Sequence, residues 1–113
     1  MPQQPPLISL IASTLGRDAE MRLLLDTLSR QNDDRFELIV VDQNEDDRLV
    51  PVLAAYEGRF PIRHIRSNQK GLDRGRNLGA RHATGDWLMF PDDDSWYPDD
   101  FLKTLRRLIE TEP

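Results

Sequence analysis

The sequence predicts an α/β fold in which a doubly wound, mostly parallel sheet is built in the order βαβαβαβα. Short apolar runs rich in β-branched residues, such as LIVV at residues 38–41, are typical of strands buried on both faces of a parallel sheet. Between these runs, apolar residues recur at the spacing i, i+3, i+4 and i+7, which gives one buried stripe on a helix. Strands that alternate with helices require right-handed crossovers, and we expect the strand order 3-2-1-4.

Four segments have the composition of strands. The second ends in the LIVV run, which is too short for a lone helix. The third is assigned because the alternation requires a strand there, and because Pro61 can begin a strand but not interrupt one. The predicted strands are residues 7–12, 36–41, 62–66 and 87–90, and the proline-rich residues 1–6 form an extended leader.

Helices follow each of these strands. The first is capped by Asp18. Pro51 is tolerated only in the first turn of a helix, so the second helix should begin near residues 48–49 and end near Gly58. The third, at residues 73–84, has several small residues that would let its backbone lie close to the sheet. The last begins near residues 98–100.

Length and composition exclude several classes of protein. With 113 residues the chain fits one domain, which we expect over residues 7–113, and its net charge of −5 argues against a dedicated nucleic-acid binder. Cysteine is absent, which excludes a disulfide framework, a thiol nucleophile and a cysteine metal site. Residues 1–6 lack the basic and apolar regions of a signal peptide, and no apolar run approaches the roughly 20 residues of a transmembrane segment. We expect a cytoplasmic chain, and peripheral attachment at the inner face of the membrane is left open.

Three consecutive aspartates at residues 92–94 follow the predicted fourth strand. Ligands of doubly wound sheets bind beyond the carboxyl ends of the strands, where the strand order reverses. Thr14 and Asp42 follow the first and second strands, so these side chains should surround one crevice. Oxygen-only donors favour Mg²⁺ or Mn²⁺, shared with substrate phosphates. An aspartate-rich turn before a helix is also a common solvated cap, and that interpretation stays open.

Four segments carry the motifs of a known family in the expected order. They are residues 8–17 (ISLIASTLGR), 36–42 (FELIVVD), 71–79 (GLDRGRNLG) and 83–94 (ATGDWLMFPDDD). Together they resemble the nucleotide-sugar-binding half of a family-2 glycosyltransferase with the Rossmann-like GT-A fold, including its DxD motif.

The resemblance implies inverting transfer of a sugar from a nucleotide-diphosphate donor to a saccharide or lipid-linked acceptor, commonly in polysaccharide biosynthesis. The residues that it implies for the nucleotide sugar are Thr14, Asp42, Arg76, Asn77, Asp92 and Asp93, and those for Mg²⁺ or Mn²⁺ are Asp92 and Asp94. In this mapping Asp42 would bond the base, while Arg76 and Asn77 would help position the donor.

The sequence also departs from the family pattern. Leu15 and Gly16 stand where the family usually has an aromatic residue and an asparagine. The family's acceptor-binding half, with the carboxylate that deprotonates the acceptor hydroxyl, lies beyond the DxD region, so we expect the domain to be truncated and have no candidate for the general base. Two alternatives remain open: a non-catalytic nucleotide-sugar-binding or regulatory module, and a structural domain without a ligand. A homodimer is left open as well, because a half-domain that exposes an apolar edge can pair with itself.

Overall fold

Four parallel strands form one sheet in the order β3-β2-β1-β4, with helices on both faces. The computed structural model describes residues 6–111, so nearly all of the predicted leader lies outside the described residues. The strands are β1 (Ile8–Thr14), β2 (Phe36–Asp42), β3 (Ile62–Arg66) and β4 (Trp87–Met89), and the helices are α1 (Ala19–Ser29), α2 (Leu49–Ala54), α3 (Leu72–Arg81) and α4 (Phe101–Thr111). The predicted α/β class and strand order are confirmed.

Two helices end earlier than the sequence pattern indicates. α3 stops at Arg81, because the next two N–H groups bond to carbonyl groups three residues back, which tightens the last turn. α2 likewise ends at Ala54. Turns follow it up to Gly58, whose positive φ of 85° is a conformation that favours glycine. Within residues 6–111, no helix is long and apolar enough to cross a membrane.

The sheet separates two apolar layers, because successive residues of a strand point to opposite faces. One face, which includes Leu10 and Leu38, packs against residues of α1, α2 and α4 such as Leu24. The other face presents Ile11 and its neighbours on β2 to α3, in a smaller cluster. The central strands are therefore buried on both sides, as their continuous apolar runs predict.

Glycines in α3 let this helix lie directly on β1. A Cβ atom added at Gly79 would be 2.3 Å from Cγ2 of Ile11, and one at Gly75 would be 2.0 Å from Oγ of Ser13. Neither distance is possible for a real side chain. The predicted close approach of this helix to the sheet is thus present, and it fixes the position of the site residues that α3 carries.

A buried polar cluster ties the α3–β4 connection to the amino-terminal end of the sheet. Oε2 of Glu37 accepts hydrogen bonds from Oγ of Ser9 at 2.6 Å, from N of Thr84 at 2.8 Å and from Oγ1 of Thr84 at 2.9 Å. Burial raises the pKa of Glu37, but these hydrogen bonds and the charge of Arg63 outweigh burial, so the pKa lies below its ordinary value. The cluster lies at the end of the sheet opposite the acidic turn.

Candidate functional site

The acidic turn and the end of β1 meet at the carboxyl edge of the sheet. Oγ1 of Thr14, the last residue of β1, donates a hydrogen bond of 2.9 Å to Oδ2 of Asp93. In the strand register Thr14 pairs with Asp42, the last residue of β2. The structure therefore places the ends of β1 and β2 and the turn after β4 around one crevice.

Two arginines balance the charge of the three aspartates. Nε of Arg17 is 3.4 Å from Oδ1 of Asp93, and its Nη1 is 3.6 Å from Oδ2 of Asp94. Nη2 of Arg76 is 3.6 Å from Oδ1 of Asp92. Arg76 was among the predicted site residues, whereas Arg17 was missed, although its place directly after strand one was a usable signal. The carboxylates thus reach two different elements, the β1–α1 loop and α3.

The donor set of the turn fits a hard divalent cation. Asp92 and Asp94 offer only oxygen ligands, and their side chains are 72% and 56% exposed. Mg²⁺ is typically held by one or two carboxylates together with substrate phosphates and water, and Mn²⁺ accepts the same oxygen donors. Across residues 6–111, no three histidine, cysteine, aspartate or glutamate side chains are grouped to hold a metal ion.

The carboxylate of Asp42 is fully buried and bonded to its own chain. Oδ1 accepts hydrogen bonds from N of Asn44 at 2.9 Å and from its Nδ2 at 2.8 Å, while Oδ2 is 2.8 Å from Nε2 of His64 and 3.4 Å from Nε of Arg66. Direct bonding of a base by Asp42 stays a prediction, and it requires the displacement of one of these partners. The side chain of His64 is half-buried in this network.

Asn77 lies apart from the acidic turn. It is exposed on α3 beside a separate cavity of about 190 Å³, which it shares with Ser67, Arg74 and other residues. The structure therefore brings Thr14, Arg76 and the three aspartates together but leaves Asn77 outside that group. Its role in positioning a donor stays a prediction.

A cavity of about 430 Å³ opens between the loops that follow β1 and β2. These loops are joined where N of Gly16 donates a 2.6 Å hydrogen bond to Oδ1 of Asn44. The half-exposed Leu15 offers an apolar surface at the cavity. The rest of its wall includes two ion pairs, Lys70 with Glu45 at 3.4 Å and Arg48 with Asp46 at 3.0 Å. An apolar surface next to hydrogen-bonding groups suits a planar, polar ring.

Fold and site together define a Rossmann-like domain of the GT-A type with an acidic, oxygen-rich crevice. Residues 9–113 match the family model described as "Glycosyl transferase family 2", and the chain belongs to that family. It is 36% identical over 108 residues to an uncharacterized glycosyltransferase of Haemophilus influenzae. The matched segment covers 95% of this chain and 36% of that protein.

Two solved structures have the same fold. Residues 1–349 of TarS from S. aureus, in complex with UDP-GlcNAc, match 91% of this chain and 31% of that chain with a TM-score of 0.85 at 23% identity. The mannosyltransferase PcManGT from Pyrobaculum calidifontis, in complex with GDP-Man and Mn²⁺, matches 97% of this chain and 34% of its own, with a TM-score of 0.78 at 23% identity. The chain thus spans about a third of the length of the H. influenzae protein and of these two solved chains, and 19% of a longer TarS chain.

Proposed function

We propose that the chain is the donor-binding part of an inverting glycosyltransferase and that it binds a nucleotide-diphosphate sugar with Mg²⁺ or Mn²⁺. The observation that carries the proposal is the meeting of Thr14 with the acidic turn at the carboxyl edge of the sheet, 2.9 Å apart. Family membership supports it, as do the nucleotide sugars in the complexes of TarS and PcManGT. The acceptor would be a saccharide or a lipid-linked sugar.

Each side of the crevice has a separate task in this proposal. Asp94 and Asp92 would hold the cation, which offsets the negative charge that grows on the diphosphate leaving group. Asp93, held by Thr14, would contact the ribose. Arg17 and Arg76 lie beside the same carboxylates, and arginine forms strong paired hydrogen bonds with phosphate oxygens. The base would occupy the cavity next to Leu15, on the side of Asp42.

Transfer also requires a carboxylate that takes the proton from the acceptor hydroxyl. We expect that group in an acceptor-binding half, which the longer relatives have room for. The 113-residue chain should therefore bind donor without measurable transfer. The second candidate function is a non-catalytic module that binds a nucleotide sugar through the same residues.

Calorimetric titration of UDP and GDP, with and without MnCl₂, tests the proposal. Binding should require Mn²⁺, and Asp94→Ala should weaken it at least about tenfold, a change of about 1.4 kcal/mol. Asp86→Ala is the matched control, because Asp86 is an exposed aspartate at the opposite end of β4. An affinity for UDP or GDP that changes neither with Mn²⁺ nor with Asp94→Ala would overturn the assignment. Clear sugar transfer by this chain to a saccharide would show that the general base lies within it.

A further inference from the structure

We propose that His64 is a positioning residue that acts through Asp42 to fix the base-binding end of the crevice. The inference rests on the proposed function and deepens it. Its starting point is the saturated carboxylate of Asp42. A carboxylate has about four acceptor positions, and three hydrogen bonds and one ion pair fill them here without any exposure to solvent. Asp42 is therefore built to hold its neighbours in place.

The neighbour that matters most is Asn44. Its Nδ2 donates to Asp42, which leaves its Oδ1 to accept the N–H of Gly16 at 2.6 Å. The side-chain amide is thereby held in one orientation, because only the oxygen can accept and only the nitrogen can donate. The same contact joins the loop after β2 to the loop after β1. Both loops line the 430 Å³ cavity in which the base is proposed to bind.

His64 is the closest partner of the other carboxylate oxygen. The 2.8 Å distance between Nε2 of His64 and Oδ2 of Asp42 is that of a hydrogen bond, and we assign the donor role to Nε2 because a carboxylate oxygen is an acceptor. Arg66 is farther away at 3.4 Å, and its guanidinium also binds Asp47 at 2.8 Å and the carbonyl oxygen of Asp46 at 2.7 Å. Loss of the His64 N–H group therefore removes the closest donor to Oδ2 and leaves this oxygen with only the more distant Arg66.

The two ends of the crevice should respond differently to this loss. The acidic turn has its own ties to the β1 side, through Thr14 and Arg17, and Asp42 takes no part in these contacts. If the Asn44 side chain is less well ordered, the affinity for the nucleoside should therefore fall, while the affinity for the diphosphate with Mn²⁺ should not change. A purely structural role for His64 predicts no such difference once the protein is folded.

The test compares nucleoside diphosphates with inorganic pyrophosphate, each titrated with Mn²⁺ into folded protein. His64→Phe keeps an aromatic ring without the donor, His64→Gln restores an N–H at a similar reach, and His82→Phe is the control at an exposed histidine. For His64→Phe we expect UDP or GDP affinity to fall about tenfold and pyrophosphate affinity to change less than about twofold. His64→Gln should recover most of the loss.

Equal weakening of nucleotide and pyrophosphate, or no weakening of either, would overturn the role of His64. If His64→Phe does not fold, His64→Asn replaces it, because its shorter amide does not reach Asp42 and the same selective loss is expected. Failure of the proposed function gives a different result, since the unaltered chain would then bind neither nucleotide nor pyrophosphate with Mn²⁺.

Discussion

Replacement of Gly75 by alanine tests how closely α3 must lie on β1. The added Cβ would be 2.0 Å from Oγ and 2.7 Å from Cβ of Ser13, and 3.0 Å from Nε2 of Gln43. Rotation of the Ser13 hydroxyl relieves the first contact but not the second, because Cβ is fixed to the backbone of β1. The helix must therefore move outward, or the strand must give way.

Two effects of opposite sign decide the magnitude. Alanine is favoured over glycine in a helix interior by about 1 kcal/mol. Overpacking in a close-packed interior costs about 1–3 kcal/mol, and a contact with an atom next to the backbone belongs at the upper end. The net result should be a loss of about 1–2 kcal/mol in the free energy of unfolding, or roughly 4–8 °C in Tm for each kcal/mol. Because Arg76 is the next residue of α3, donor affinity should fall as well.

Urea and thermal unfolding, followed by circular dichroism, measure the change. Ser13→Gly removes the atoms that collide, so the double variant Ser13→Gly/Gly75→Ala should be more stable than the sum of the two single changes predicts. Ser13→Gly alone is the control for the loss of a side chain from the strand. A Gly75→Ala protein as stable as the unaltered chain, or more stable, would refute the packing argument and leave only helix propensity.

Three further changes address other parts of the molecule. The folded-state pKa of Glu37 lies below its ordinary value of 4.5, so its stabilising contribution is present above that value and lost as the pH falls through the folded-state pKa. The urea concentration at the unfolding midpoint should decrease when the pH is lowered from about 6 to about 3, and it should decrease less in Glu37→Gln. An equal decrease in both proteins would contradict this prediction. Arg17 should compete with a cation for the aspartates, and because exposed ion pairs contribute up to about 1 kcal/mol, Arg17→Gln should raise the affinity for Mn²⁺ by up to about fivefold. Electron paramagnetic resonance without nucleotide measures this affinity, and weaker Mn²⁺ binding by the variant would contradict the competition. Leu15→Tyr should tighten UDP or GDP binding about threefold in calorimetry by offering a ring for base stacking, and no gain would place the base elsewhere.

The fold could be predicted because its signals are local and periodic. The apolar run that ends β2 and the helical stripes between the strands give the alternation, and the alternation limits the topology. Helix ends were less certain, as the end of α3 at Arg81 shows, because the last turn depends on hydrogen bonds that no residue type specifies.

The candidate site was predictable only in part. Thr14 and the three aspartates were expected to meet because the carboxyl ends of parallel strands share one edge. The network around Asp42 was missed because it depends on the register of β3, which pairs Asp42 with Arg66 and puts His64 two residues away on the same face. That two-residue spacing of His64 and Arg66 was the signal that could have revealed it. Arg17 could have been found from its place directly after strand one, whereas the position of Asn77 away from the acidic turn had no comparable signal.

Anomalous scattering from bound manganese tests the central claim most directly. Crystals of the chain grown with MnCl₂ and UDP or GDP should give a peak at bonding distance from a carboxylate oxygen of Asp94 and from the diphosphate, beside the Thr14–Asp93 contact. An ordered nucleotide with its manganese peak away from residues 92–94 would contradict the account.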